Sequence, residues 1–215
     1  MSDFLLAALI SSRICHDLTG PVGAVANGVE LLSEESDPSM QEQSLELLSF
    51  SAGETSRRLQ FYRLCFGAAG GPEAVTSLGE AQRAAEGFFE GRKQTLSWPT
   101  GSAGNQRIPQ SAVQLMLNLV LLAGETLPRG GQIDVDLAAD GSAIRIQATG
   151  RNAGLREDDL DALAGRTKLE SLDARTVQPW FCASIARETG AGISFEQTSN
   201  EQVLLQAGPL FSVSD

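Results

Sequence analysis

The chain contains very little histidine and cysteine. His16 is its one histidine in 215 residues, and its three cysteines are Cys15, Cys65 and Cys182. The cysteines lie far apart along the chain, and a single histidine cannot complete a zinc site with them. We therefore expect reduced, buried thiols and no resident metal.

The chain also lacks a long apolar run and an excess of basic residues. No apolar stretch approaches the roughly 20 residues that cross a bilayer, and the first residues lack the basic start of a signal peptide. We expect no membrane insertion and a cytoplasmic location. Sixteen basic against twenty-seven acidic residues give a net charge of −11. This sign disfavours nucleic acid as a partner.

The first seventy residues carry the periodicity of two long helices. Apolar or small residues recur at alternating spacings of four and three, at positions 4, 8, 11, 15, 18, 22, 25, 29 and 32. We call this set the α1 stripe, and it predicts a helix from about residue 3 to 35. Asp37 and Pro38 are typical of the N-cap and first residue of a second helix, which the pattern extends to the glycines near 67.

The second helix has an extra apolar flank formed by Leu47, Phe50, Phe61 and Leu64. Two helices alone bury little apolar surface, so we expect a second hairpin to cover this flank. The prediction for residues 1–70 is thus a helical hairpin that forms a four-helix bundle in a homodimer. Packing of the flank against the chain's own C-terminal region is the alternative.

Composition and period change after Gly70-Gly71-Pro72, which predicts a domain boundary there. Residues 71–215 form the second predicted domain, with helices at 78–92, 109–122, 157–164 and 179–190 and with strands at 94–98, 134–137, 143–147, 193–197 and 202–206. Asp140-Gly141 is typical of a hairpin turn between two of these strands. The pattern predicts an α+β chain whose second domain is an α/β sandwich, with a mixed sheet covered on one face.

His16 is the candidate functional residue. It lies one position off the α1 stripe, so its imidazole should be exposed, and Ser12 and Gly20 lie one turn to either side and leave room around it. An exposed histidine can also be an ordinary surface residue. The neighbouring residues favour function over that alternative.

These neighbours carry a resemblance to two-component signalling proteins. His-Asp-x-x-x-Pro, from His16 to Pro21, resembles the phosphoacceptor box of histidine kinases. The longer pattern Arg-x-Cys-His-Asp-Leu-x-x-Pro-Val-Gly-Ala-x-x-Asn-Gly, at 13–28, resembles the bacterial ChpT-type histidine phosphotransferases. This resemblance covers nearly the whole chain and is most specific within that pattern.

The resemblance implies roles for the residues around His16. His16 would accept the phosphoryl group, Asp17 would orient it or accept its proton, and Arg13 would place charge near the phosphoryl group or a receiver carboxylate. Arg13 and Asp17 are also i, i+4 neighbours that can simply pair with each other. The residues expected to meet the partner are Ser12, Thr19, Gly20 and Gly23.

The second domain resembles the ATP-binding domain of histidine kinases, of the GHKL superfamily, but it departs from the pattern at three places. Leu122 replaces an asparagine that would help hold Mg²⁺, Gly150 replaces the aspartate that would read adenine, and 179–181, Pro-Trp-Phe, replace an open glycine turn. We therefore expect no bound ATP and no cofactor, with Mg²⁺ brought by the partner receiver domain.

The predicted function is a histidine phosphotransferase. It would relay a phosphoryl group between receiver-domain aspartates through phosphohistidine at His16. The resemblance implies that the group passes from a membrane hybrid kinase to response regulators. Two alternatives remain at this point. An ATP-dependent histidine autokinase would need the missing nucleotide residues, and a non-catalytic dimeric adaptor would tolerate loss of His16.

Overall fold

Two long antiparallel helices begin the chain. In the computed structural model, which describes residues 2–34, 36–67, 74–99 and 101–211, α1 spans Ser2–Glu34 and α2 spans Pro38–Phe66. Asp37 caps α2 as predicted, because its carboxylate accepts from the backbone N–H of Ser39 at 2.8 Å. A Cβ at Gly28 would lie 2.8 Å from Leu48 Cγ, so glycine allows the two helices to approach closely here.

The α1 stripe does not face α2, which corrects the assumption that it is the chain's own packing seam. Among the described residues of α1, those that are buried are Arg13, Pro21 and Gly28. Residues of the α1 stripe remain open, with Phe4 82% and Val29 55% exposed. The fully buried positions of α1 are therefore small or polar, and near its start Leu6 and Ile10 pack partly against the second domain. Much of the α1 stripe has no cover within one copy.

Residues 74–99 and 101–211, called the second domain from here on, alternate helices and strands in the predicted order. Two short 3-10 turns, Gly101–Asn105 and Leu169–Ser171, lie between its elements. Its helices and strands are β1 Val75–Ser77, α3 Leu78–Phe89, β2 Gln94–Ser97, β3 Arg107–Pro109, α4 Gln110–Glu125, β4 Gly131–Leu137, β5 Ile144–Thr149, α5 Glu157–Leu163, α6 Val177–Thr189, β6 Gly192–Ser199 and β7 Gln202–Gly208. The predicted boundary, Gly70-Gly71-Pro72, lies outside the described residues.

Five strands form one mixed sheet in the order β2-β4-β5-β7-β6. β2 is parallel to β4, and the other neighbours are antiparallel. In β4 the buried Ile133 and Val135 alternate with the exposed Asp134 and Asp136, so one face meets the helices and the other meets solvent. The predicted α+β class and one-sided mixed sheet are confirmed. β1 and β3, three residues each, pair separately and were too short to predict.

The end of α2 belongs to the core of the second domain. Phe61 is fully buried and stacks on Phe88 of α3 with ring centroids 4.2 Å apart. Leu64 is also buried, in the same apolar core. The prediction that a partner hairpin covers Phe61 and Leu64 is therefore wrong, and the alternative of cover by the chain's own C-terminal region is correct for them. Leu47 and Phe50 of the same flank stay exposed.

Two further predictions concern the burial of the cysteines and insertion into a membrane. Cys65 and Cys182 are buried free thiols as expected, but Cys15 is exposed because it lies on the uncovered α1 stripe. No helix within the described ranges combines the length and the apolar character needed to cross a membrane.

Candidate functional site

His16 projects from α1 into open space. Its side chain is 83% exposed, as expected, although the α1 stripe beside it is exposed as well. A Cβ at Gly20 or Gly23 would meet nothing within 4 Å, and Ser12 and Thr19 are exposed as well. The surface around the imidazole is therefore free for a macromolecule to approach.

Asp17 is held rigidly next to His16. Its Oδ1 lies 3.2 Å from His16 Nδ1. Its Oδ2 accepts two hydrogen bonds, from Arg13 Nε at 2.9 Å and from the Tyr62 hydroxyl at 2.6 Å. The guanidinium of Arg58 donates to the backbone carbonyl of Asp17. Donors from both helices thus fix this residue and leave Oδ1 for the imidazole.

The surroundings of Asp17 keep it ionised. Burial alone would raise its pKa, but the positive charge of Arg13 and the hydrogen bond from Tyr62 outweigh burial and lower the pKa below its ordinary value. An ionised carboxylate can only accept hydrogen bonds. His16 Nδ1 must therefore carry the proton of the contact, and the Nε2 lone pair of a neutral imidazole is left toward solvent.

Arg13 is buried, with 8% of its surface exposed, and it links α1 to α4. Its Nη2 donates to Glu125 Oε1 at the end of α4, while its Nε donates to Asp17. Burial alone would lower the pKa of Arg13, but the charges of Glu125 and Asp17 raise it above the ordinary value. The simple ion pair between Arg13 and Asp17, which was the alternative to a functional role, is present in the structure. A direct role toward a phosphoryl group stays a prediction.

Three residues of this network, Arg58, Tyr62 and Glu125, are not identified from the sequence. The ring of Tyr62 packs like an apolar side chain of α2, yet its hydroxyl reaches Asp17. Burial, followed by the negative charge of Asp17, raises the pKa of Tyr62. Burial also raises the pKa of Glu125, against the attraction of Arg13. One signal pointed to Glu125: it is the one charged residue in the otherwise apolar or neutral α4.

A cleft of about 970 Å³ extends from His16 between α1 and the second domain. Its wall in the second domain includes Glu125, Asn152, Arg156 and Arg175. A partner that reaches His16 can therefore also contact this domain. The described residues contain no group of three His, Cys, Asp or Glu side chains that could hold a metal ion.

The three departures from a nucleotide site all lie in packed surroundings. Leu122 is fully buried. A Cβ at Gly150 would lie 2.4 Å from the carbonyl oxygen of Gly130, so no carboxylate fits at that position. Trp180 Nε1 donates to the Thr167 carbonyl at 3.1 Å, and the rings of Phe181 and Phe66 lie 5.7 Å apart.

The neighbouring asparagine, Asn118, is also used within the protein. It is fully buried, and its Nδ2 donates to the carbonyls of Cys65 and Gln114 at 2.9 and 2.8 Å. Its amide therefore ties the end of α2 to α4.

Comparison with known proteins places this architecture among phosphotransferases. The solved structure of a bacterial phosphotransferase superposes with a TM-score of 0.81 at 35% identity, covering 94% of this chain and 95% of that one. The protein phosphotransferase ChpT of Brucella abortus (strain 2308) is 36% identical over 200 residues, 92% of this chain and 93% of that protein. The histidine kinase AdeS of Acinetobacter baumannii is a more distant match, with a TM-score of 0.45 and 10% identity over 89% of this chain and 95% of that one.

The family follows from the second domain. Residues 78–201 match the model of the histidine phosphotransferase C-terminal domain. The chain therefore belongs to this histidine phosphotransferase family, and the resemblance read from residues 13–28 is confirmed.

Proposed function

We propose that this chain relays phosphoryl groups through His16, taking them from the aspartyl phosphate of one receiver domain and giving them to the aspartate of another. The observation that carries this proposal is the exposed imidazole whose Nδ1 faces an ionised, doubly held Asp17. The homologous phosphotransferases support the reaction class.

The transfer needs one nucleophile and little other covalent chemistry. Nε2 of the neutral imidazole attacks phosphorus in line as the P–O bond to the donor aspartate breaks, and the aspartate leaves as a carboxylate. The Nδ1 proton stays in place, and the positive charge that develops on the ring is stabilised by Asp17. Reversal of the same step passes the group to the next receiver. Mg²⁺ is expected to arrive with the receiver domain.

The partners follow from the surroundings of His16. Ser12, Thr19, Gly20 and Gly23 border the imidazole on α1, so a receiver domain that reaches His16 would lie on them. The cleft at the second domain offers further contacts. The receivers of a hybrid kinase and of response regulators, in the cytoplasm, fit this proposal.

A homodimer is part of the proposal. Val22 and Val29 of α1, seven residues apart, are about half exposed, and so are Leu45 and Leu59 of α2, two heptads apart. Such spacing is typical of a helix bundle interface. Two copies joined through these residues would form the expected four-helix bundle.

We also propose that the second domain does not use ATP. Restoring a carboxylate at Gly150 would collide with Gly130, and Leu122 offers no oxygen to Mg²⁺. Titration calorimetry with ATP and Mg²⁺ should detect no binding at about 1 mM. A dissociation constant below about 0.1 mM, a free energy of about −5.5 kcal/mol, would contradict this proposal and favour the autokinase.

The relay is tested by incubation with a receiver domain whose aspartyl phosphate carries the label. Because His16 is the one histidine of the chain, a protein without a histidine tag should gain acid-labile, base-stable label at that residue alone. His16→Ala should gain none while its circular dichroism stays unchanged. Gln43→Ala, a change at an exposed residue near the start of α2, should be labelled like the wild type.

The same experiment separates the alternatives. Label retained by His16→Ala would rule out His16 as the acceptor. A dimeric adaptor would gain no label in either protein, and an autokinase would gain label from ATP without any receiver present.

A further inference from the structure

We propose that Tyr62 and Glu125 are positioning residues for His16: Tyr62 holds Oδ2 of Asp17 directly, and Glu125 holds it through Arg13, so that Oδ1 keeps the imidazole in its Nδ1–H form. The rate arm of the test below depends on the proposed function, whereas the tautomer arm does not.

Oδ2 of Asp17 accepts hydrogen bonds from two side chains on different helices. Arg13 Nε reaches it along α1 and the Tyr62 hydroxyl reaches it from α2, at 2.9 and 2.6 Å. With both donors on Oδ2, the carboxylate cannot rotate without losing two charge-assisted bonds. Oδ1 therefore stays directed at His16 Nδ1.

Tyr62 has little freedom to act otherwise. It is 3% exposed, and its ring packs against Phe61, Phe66 and Phe88. It cannot touch a visiting receiver domain. Among the described residues its hydroxyl bonds to Asp17 alone, so removal of that oxygen isolates the positioning effect.

Glu125 acts from the other domain. It is the last residue of α4, and its carboxylate takes the Arg13 Nη2 that Asp17 does not use. Arg13 is thus held between two carboxylates, with its third nitrogen 3.5 Å from the Arg175 carbonyl. A domain that resembles an ATPase would then contribute to phosphotransfer by fixing an arginine beside the phosphoacceptor.

The first arm of the test measures the His16 tautomer in the free protein. With one histidine in the chain, the imidazole ¹⁵N spectrum at alkaline pH reports His16 alone. We expect mainly the Nδ1–H form in the wild type, and a shift toward the Nε2–H form in Tyr62→Phe and, to a smaller extent, in Glu125→Gln. Glu80→Gln is the matched control, since it breaks another interdomain ion pair, Arg63 with Glu80 at 3.2 Å, away from this network.

The second arm measures transfer from phosphorylated receiver at saturating concentration. Tyr62→Phe should slow the step about three- to tenfold, while the half-saturating receiver concentration stays unchanged because the residue is buried. In Asp17→Ala the tautomer should already be relaxed, and adding Tyr62→Phe should change neither quantity further.

Three results would overturn the proposal. They are a tautomer unchanged in both Tyr62→Phe and Glu125→Gln, an equal shift in Glu80→Gln, or an undiminished effect of Tyr62→Phe in the Asp17→Ala background. A tautomer shift without any transfer to His16 would refute the proposed function and leave the positioning intact.

Discussion

The two ends of the helical hairpin differ in what covers their apolar side chains. At the root, where α2 ends, Phe61 and Leu64 lie in the core of the second domain. Toward the turn between the helices, Val29 and Leu45 are more than half exposed. The root is therefore stabilised within one copy, whereas the apolar side chains at the turn end are left for the proposed second copy to cover. His16 lies at the root level, because its neighbour Asp17 bonds to Tyr62.

The same substitution at the two ends should show the largest difference. Leu64→Ala removes buried methyl groups and leaves a cavity, so we expect a loss of about 2–5 kcal/mol in the free energy of unfolding. Leu45→Ala, on the same helix, should change it by no more than about 0.5 kcal/mol. Urea unfolding at a protein concentration low enough for monomers measures both.

Equal losses in Leu64→Ala and Leu45→Ala would contradict the comparison. They would mean that the turn end is covered within a single copy, or that the root is not packed as described.

Alkaline pH should have the next largest effect, because it should lower the free energy of unfolding through groups at the root. Burial and the charge of Asp17 raise the pKa of Tyr62 in the folded protein, and burial raises that of Cys65. The unfolded chain releases these protons near about pH 10 and pH 8.5, while the folded protein keeps them. The stabilisation is thus complete below those values and is lost as pH rises, by up to about 1.4 kcal/mol per pH unit for each group.

The single tyrosine makes this measurable. Ultraviolet absorbance of the phenolate should appear only together with the loss of helical circular dichroism, and Tyr62→Phe should lose stability less steeply above about pH 10. A phenolate that forms near pH 10 in a folded protein would show that Tyr62 is not buried against Asp17.

A substitution at the turn end should change dimerisation rather than the stability of the fold. Leu45→Lys places a charge on the exposed apolar face of α2, and we expect sedimentation equilibrium to show monomers where the wild type forms dimers. The free energy of unfolding of the monomer should change by about 0.5 kcal/mol or less. Gln43→Lys adds the same charge at an exposed polar position and should leave the dimer intact. A wild type that sediments as a monomer at high concentration would refute the homodimer.

Local signals in the sequence predicted much of the fold. The Asp37 cap, the alternation in 134–137 and the apolar run of α4 each depend on neighbours along the chain, and their elements lie within a few residues of the predicted bounds. The direction of the α1 stripe was wrong because periodicity identifies an apolar face but not what covers it. Within one copy, the side of α1 that packs is the one with Arg13, Pro21 and Gly28.

The site was predicted only where it is local. His16 and Asp17 are neighbours in a recognisable pattern, so their contact followed from the sequence. Tyr62 and Glu125 lie 45 and 108 positions after Asp17, on other helices, and only tertiary packing brings them to it. Long-range pairs of this kind have no sequence period to reveal them.

The smallest expected effect is on thiol reactivity, and it can map how far the partner's cover extends toward the root. Cys15 is exposed in one copy, whereas Cys65 and Cys182 are buried with raised pKa values. A thiol-specific reagent should therefore modify one of three cysteines in the folded protein and all three in urea. Because Cys15 belongs to the α1 stripe, a dimer that covers the stripe should slow its modification, and the monomeric Leu45→Lys should restore the faster rate. Equal rates in wild type and Leu45→Lys would show that the interface between copies ends before residue 15, closer to the turn.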